Sequence, residues 1–163
     1  MKSLFLLISC VISMHLANAQ LKTTVACDPF TVDLLNGTVN GLLDCNSTAA
    51  VIKKSFPCFT DTLNNAAVTN CGAVLYKDRA ICFFTSRNYI EIGEKFTGKL
   101  NPTLMGASRG SLFKLLGNPK IKDVNWDAYQ TRFGTMVLYY DKANKINKVQ
   151  ISTKNTETLQ LCE

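Results

Sequence analysis

Histidine is the scarcest reactive residue in this 163-residue chain, and the single copy, His15, stands among the first twenty residues. That stretch, MKSLFLLISCVISMHLANAQ, has an early lysine, an apolar core from Leu4 to Leu16, and a small-x-small ending in Ala17-Asn18-Ala19. The pattern is that of a secretory leader cleaved before Gln20. Its apolar core is shorter than the about 20 residues that span a bilayer, and no other run is long enough. Leu7-Ile8-Ser9-Cys10 has the look of a lipoprotein processing box, but a cut there would leave almost no apolar segment before it. The expectation is an exported protein, secreted or periplasmic, with no transmembrane segment.

Loss of residues 1–19 removes the histidine, and with it Ser-His-Asp and Cys-His catalysis and imidazole ligation of zinc. Other signatures are missing as well. There is no Cys-x-x-Cys knuckle for a metal and no Gly-rich loop ending in Lys-Ser/Thr for a nucleotide. The small-residue stretch Gly106 to Gly110 reads better as a helix cap than as a phosphate cradle. The net charge of +6 is spread over single and paired lysines and arginines, as in VIKK and PKIKD, so no basic stripe offers itself to nucleic acid. We expect no metal, no cofactor and no catalytic residue. Asp123, Asp127, Asp141, Glu91 and Glu94 are the carboxylates that general acid–base work would need, and nothing in the sequence pairs them.

Cysteine is present in force. Without Cys10, six remain: Cys27, Cys45, Cys58, Cys71, Cys82 and Cys162. An even count in an exported chain reads as up to three disulfides, with 15 possible connectivities.

Periodicity supplies the elements. FTVDLLNGTVNGL alternates around Asn36-Gly37, a two-residue hairpin signal, and predicts strands near 30–35 and 38–42. Asn46 or Ser47 is placed to cap a short helix carrying Ala50, Val51 and Phe56, which Pro57 ends. TDTLNNAAVTN is a loop or weak edge strand. GAVLYKDRAICFF is a hairpin turning at Lys77-Asp78, and RNYIEIGEKF extends the sheet. Ser108 then caps RGSLFKLL, with Leu112, Leu115 and Leu116 as its apolar stripe; Gly117 and Pro119 stop it. GTMVLYY and INKVQIST form a last hairpin around DKANK. Asn36-Gly-Thr and Asn46-Ser-Thr are glycosylation sequons that matter only in a eukaryotic secretory route.

The two halves echo each other. Gly41 to Ile92 and Gly98 to Ile151 each run through a Gly-x-Leu start, a capped helix, Pro, a loop, a Val-Leu-Tyr strand, a Lys/Asp turn and an Ile-rich strand. Val74-Leu75-Tyr76 matches Val137-Leu138-Tyr139. Such similarity predicts duplication of one helix-plus-meander unit, although strands favour the same residues by chance. The boundaries are leader 1–19, N-terminal strands 20–40, first repeat 41–95, second repeat 96–153 and tail 154–163. The fold class is α+β: two tandem repeats forming one curved sheet with helices on one face, stapled by disulfides.

GASRGSLFKLLGNP followed by YQTRFGTMVLYYDKANKINKVQIS resembles the helix–helix–three-strand module of two families, the outer-membrane assembly lipoproteins and the secreted β-lactamase inhibitory proteins. The resemblance covers roughly 41–153 and rests on a Leu-Gly-x-Pro helix end before a meander with an aromatic strand. YIEIGEKF, GKL and GASRGSLFKLLGNPK are also similar to exported proteins of unassigned function. The inhibitory family implies two tandem modules in one curved sheet that grips a partner protein. Six cysteines and two extra strands depart from that pattern. The family's helix-to-strand bridge implies Cys58–Cys71, which would also pin the first helix end to the sheet. Cys45–Cys82 and Cys27–Cys162 are the economical remainder.

Alternation assigns the faces. Met136, Leu138, Val149, Ile151, Leu75, Ile90 and Ile92 are expected under the helices. Val74, Tyr76, Arg87, Tyr89, Glu91, Val137, Tyr139, Lys148 and Gln150 are expected on the open face. Tyrosines among charges suit a protein-binding surface, and equally an ordinary solvated one. Trp126 is a partner anchor or, the better fit, packs over the sheet edge. The expectation is a monomeric, non-enzymatic binding module of inhibitor or immunity type, with a protein partner. The alternatives are an envelope-assembly accessory and a small carboxylate-based hydrolase.

Overall fold

The computed structural model describes residues 25–63 and 71–162; the expected leader lies outside them. Strands dominate. Twelve are described: β1 Thr31–Asp33, β2 Thr38–Val39, β3 Leu43–Asp44, β4 Asp61–Leu63, β5 Ala73–Tyr76, β6 Ile81–Phe84, β7 Tyr89–Gly93, β8 Lys99–Asn101, β9 Ile121–Lys122, β10 Trp126–Gln130, β11 Thr135–Tyr140 and β12 Ile146–Ser152. Two α-helices join them, α1 Ala49–Ser55 and α2 Phe113–Leu116, the second preceded by a 3-10 turn at Arg109–Ser111. None is long and apolar enough to cross a membrane among the described residues.

Eight strands form one sheet in the order β4-β5-β6-β7-β12-β11-β10-β9, antiparallel at every pairing. Each half is a four-stranded meander, and the halves meet through their last strands, with Glu91 opposite Gln150 and Ile92 opposite Val149. The order therefore reads the same from either edge toward the centre. A second sheet, β3-β2-β1-β8, contains a parallel pair, β1 with β8.

The core lies on one face of the large sheet. Val74, Tyr76, Ile81, Phe83, Ile90 and Ile92 from one meander, and Met136, Leu138, Val149 and Ile151 from the other, form one apolar cluster with Phe30, Val32, Leu34, Val39, Leu43, Ile52, Phe56, Leu104 and Leu112. Phe30 is the hinge pin of the layer: its ring lies 4.6 Å from Phe56 and 5.0 Å from Tyr76. The small sheet also reaches the second meander, because the Phe133 ring packs over Gly37, where a Cβ would come within 2.5 Å of it. Helices are thus a minor part of the cover, and the small β-sheet supplies much of it.

Local chemistry explains the elements and two departures from expectation. The cap of α1 is Thr48, whose hydroxyl accepts from the Val51 amide; Ser47 is already engaged with Asp44. Ile52 and Phe56 are the buried side chains at this helix, and Val51 is exposed. At α2 one helical turn cannot carry a stripe: Leu112 is buried, whereas Leu115 and Phe113 face outward. Gly117 ends it at φ 72°, a left-handed geometry in which a side chain would be strained.

Gly134, before β11, has φ 149°, and a Cβ there would sit 2.1 Å from the Ser152 carbonyl oxygen. Gly134→Ala should therefore lower the unfolding free energy by about 2 kcal/mol, read from urea denaturation. An unchanged midpoint would show that β11 and β12 can separate locally without loss.

The disulfides correct the expected pairing. Cys27 joins Cys58 and Cys71 joins Cys162, while Cys45 and Cys82 are free thiols. Cys45 is part of the core cluster, whereas Cys82 pairs in register with Leu75 and Glu91 on the opposite face. The sheet stands between them, so they cannot bond.

Candidate interaction face

Opposite the core, the cross-strand register places Leu75, Cys82, Glu91, Gln150, Val137 and Ala128 in one row. Tyr139 and Lys148 share the next row with Gly93 and Trp126. This outer face is where the sequence put its binding residues, and the structure sorts them into three groups.

Val74 and Tyr76 do not belong to it. Both are fully buried on the core side, and Leu75 takes the outer position. The Tyr76 hydroxyl donates to the Phe56 carbonyl at 2.7 Å, which lets a phenol sit in an apolar core; burial pushes its pKa well up. A one-residue error of phase moves a whole strand to the wrong face. AVLY carries no charged residue to set that phase.

Arg87, Tyr89 and Val137 are covered by the chain's own C-terminal segment, residues 153–162, which crosses the outer face as a strap. The Thr135 hydroxyl donates to the Lys154 carbonyl at 2.8 Å, and the Thr156 amide donates to the Gln130 side chain at 3.3 Å. Arg87 donates to the side chain of Gln160. The Cys162 amide donates to the Tyr89 hydroxyl at 3.1 Å, and the Cys71–Cys162 bond closes the strap. Tyr89 is stacked on Phe84, with ring centroids 4.4 Å apart. The signal for the strap was present in TLQLCE, where Leu159 and Leu161 alternate with polar residues ahead of a cysteine.

Glu91, Tyr139, Lys148 and Gln150 are brought together. The Tyr139 hydroxyl donates to Gln150 Oε1 at 2.9 Å, and Gln150 Nε2 donates to Glu91 Oε2 at 2.7 Å. Lys148 Nζ lies 3.6 Å from the same carboxylate oxygen and 4.1 Å from the centre of the Tyr139 ring. The four close a ring across β11, β12 and β7, at the join of the two meanders, in which Gln150 is buried, not open to a partner as expected, and Glu91, Tyr139 and Lys148 are partly exposed. Leu75 and Cys82 lie beside it on the first meander, lining a shallow hollow with Ala80 and Gly93.

Asp127, Asp141 and Asp123 hold structure, and Glu94 is exposed. Asp127, on the core side of β10, is gripped by Arg109 Nε at 3.0 Å and by Nη2, and accepts from the Tyr140 hydroxyl at 2.8 Å. Arg109 also lies over the Tyr140 ring at 4.7 Å and donates to the carbonyls of Asp123 and Val124. This network pins the segment before α2 to the sheet. Burial, and the bond to Asp127, push the Tyr140 pKa up. Asp141 accepts from the amides of Ala143 and Lys145 within its turn, and Asp123 accepts from the Asn125 amide. Among the described residues, no group of three or more His, Cys, Asp or Glu is gathered as a metal would need. Trp126 stands at the outer edge of β10, half-buried, opposite Tyr139.

The free thiols are chemically quiet. Burial, and then the nearby Glu91 charge, raise Cys82 to about 12; burial, and then Asp44, raise Cys45 to about 12. The thiolate is the nucleophile, so at pH 8 both groups stay protonated. Iodoacetamide should label neither thiol within minutes in the native protein and both after unfolding, as read by mass spectrometry. Rapid native labelling of Cys82 at pH 8 would contradict this.

Comparison with protein-family models, curated proteins and solved structures finds no match, so the reading of this face rests on its own geometry.

Proposed function

We propose that this chain is an exported, non-enzymatic protein-binding module of inhibitor or immunity type, built from two tandem helix-plus-meander units. On this reading it grips its partner with the uncovered part of the outer face. The mirrored strand order supports the duplication, as does the Val-Leu-Tyr echo in β5 and β11. The resemblance to the β-lactamase inhibitory family supports a sheet-face grip, although a shared sheet does not carry a shared target.

One observation carries the reading: the ring of Glu91, Tyr139, Lys148 and Gln150 at the seam. On an ordinary solvated face, long side chains remain free to rotate. Here the buried Gln150 and its neighbours hold one another, so a partner meeting Glu91, Tyr139 and Lys148 would lose little side-chain entropy in ordering them. Glu91 also lines the hollow that holds Leu75 and Cys82, so polar groups and apolar area adjoin there. The Glu91–Lys148 pair is long at 3.6 Å and partly exposed, so it stabilises the fold little, which fits a role in recognition better than one in stability.

The test is affinity capture from the exported fraction of the source cells on the immobilised wild-type protein, in parallel with Glu91→Arg and Tyr139→Ala. Each variant should bind the captured partner at least about tenfold more weakly with an unchanged melting temperature. Capture that survives both substitutions at wild-type strength would remove the proposal.

A further inference from the structure

One end of the second meander is both basic and tipped with apolar side chains. Arg109 gathers it. Its guanidinium donates to the carbonyls of Asp123 and Val124 in the turn between β9 and β10. Its amide donates to the Asn144 carbonyl, in the turn between β11 and β12, at 2.9 Å. Phe113 and Lys122 line one open hollow with Arg109 and Asn144. Val124 is 81% exposed, the most of any large apolar residue described, and Phe113 is 63% exposed. Lys114, Lys120, Lys122, Lys142 and Lys145 are exposed in or beside α2, β9 and the second turn. None of them is in an ion pair among the described residues. Against them stand Asp123 and Asp141, each accepting from amides of its own turn; the charge of Asp127 is met by Arg109.

We propose that this end of the sheet is a docking surface for an anionic lipid bilayer. It shares no residue with the ring at the seam, and its test needs no protein partner. Exposed apolar residues are ordinary when scattered; here two lie within a rim of five lysines. Charge complementarity names the occupant. The lysines attract anionic headgroups, each strengthening binding by about fivefold when held near the surface, while the apolar side chains enter the acyl boundary. Phe113 and Val124 project from different segments, one from α2 and one from a turn. A fluid apolar phase accepts such side chains without a matching shape, whereas a protein partner would have to fit both projections and the hollow at once. The bonds of Arg109 already hold these segments together, so docking requires no refolding.

Vesicles of about 30 mol % phosphatidylglycerol in phosphatidylcholine, at about 20 mM salt, should carry the folded protein down on sedimentation. Vesicles of phosphatidylcholine alone should leave it in solution, and about 500 mM salt should release it from the anionic ones. Phe113→Ser with Val124→Ser keeps every charge and should weaken binding at least about tenfold. Lys122→Glu with Lys142→Glu keeps the apolar tip and should weaken it at least about twentyfold. All four positions are exposed, so both double variants should melt as the wild type does; if the serine pair fails to fold, Val124→Ser alone, in its exposed turn, decides. The proposal is overturned by any of three results. These are no sedimentation with the anionic vesicles, equal sedimentation with phosphatidylcholine, or undiminished binding by either double variant. Undiminished binding by the serine pair would mark the lysines as a site for an acidic protein instead.

Discussion

Cys162→Ala is expected to lower the unfolding free energy by about 4 kcal/mol and the melting temperature by roughly 10 °C. The bond to Cys71 closes a loop with a sequence separation of 91. In the chain-entropy view, a loop of that length restrains the unfolded chain by between about 3 and 4.7 kcal/mol. The Cys27–Cys58 bond spans only 31, so its removal should cost about 1 kcal/mol less, by the logarithm of the loop lengths. The folded state loses something too. Without the bond, Leu159 and Leu161 are held only by hydrogen bonds of the strap such as those at Lys154, Thr156 and Gln160. Urea denaturation of both cysteine variants gives the comparison, and binding of a hydrophobic dye in native buffer reports whether the outer face has opened. If Cys162→Ala is as stable as wild type, or if the Cys27 variant suffers more, the strap is not the dominant staple.

Asp127→Ala should cost about 3 kcal/mol, the low end of what breaking a buried ion pair produces. The low end applies because the Arg109 side chain is 19% exposed while that of Asp127 is 3% exposed, so water partly relieves the orphaned guanidinium. The Tyr140 hydroxyl loses its acceptor in the same step, which adds to the loss. Removing both charges distinguishes this from a simple cavity. The double variant Arg109→Met with Asp127→Leu should recover most of the stability, since apolar replacement of a buried pair is often close to neutral. A double variant no better than Asp127→Ala would mean that packing, and not the uncompensated charge, sets the cost.

The local elements were legible because their causes are local. Asn36-Gly37 turns the first hairpin, with Gly37 at φ 67°. Pro57 follows the end of α1, and Gly117 ends α2. The Lys/Asp turns lie between β5 and β6 and between β11 and β12, where the echo placed them. Charged or amide side chains marked the outer face in β12 and β7, so Val149, Ile151, Ile90 and Ile92 were assigned correctly to the core. AVLY in β5 has no such marker, and there Val74 and Tyr76 face the core while Leu75 faces outward, the reverse of the expected phase. The pairing of six cysteines depends on which loops come close, which no local rule encodes.

From sequence alone came the positions of turns and strands, the richness in disulfide-forming cysteine, and a face marked by Glu91, Tyr139, Lys148 and Gln150. These follow from backbone sterics and the two-residue period, which act within a few residues of the chain. Tertiary structure decided the rest: the joining of β7 to β12, the β-sheet cover over the core, the burial of Tyr76, and the strap that removes Tyr89 and Val137 from solvent. Each depends on contacts between segments tens of residues apart, whose free energy is realised only when the whole chain is packed.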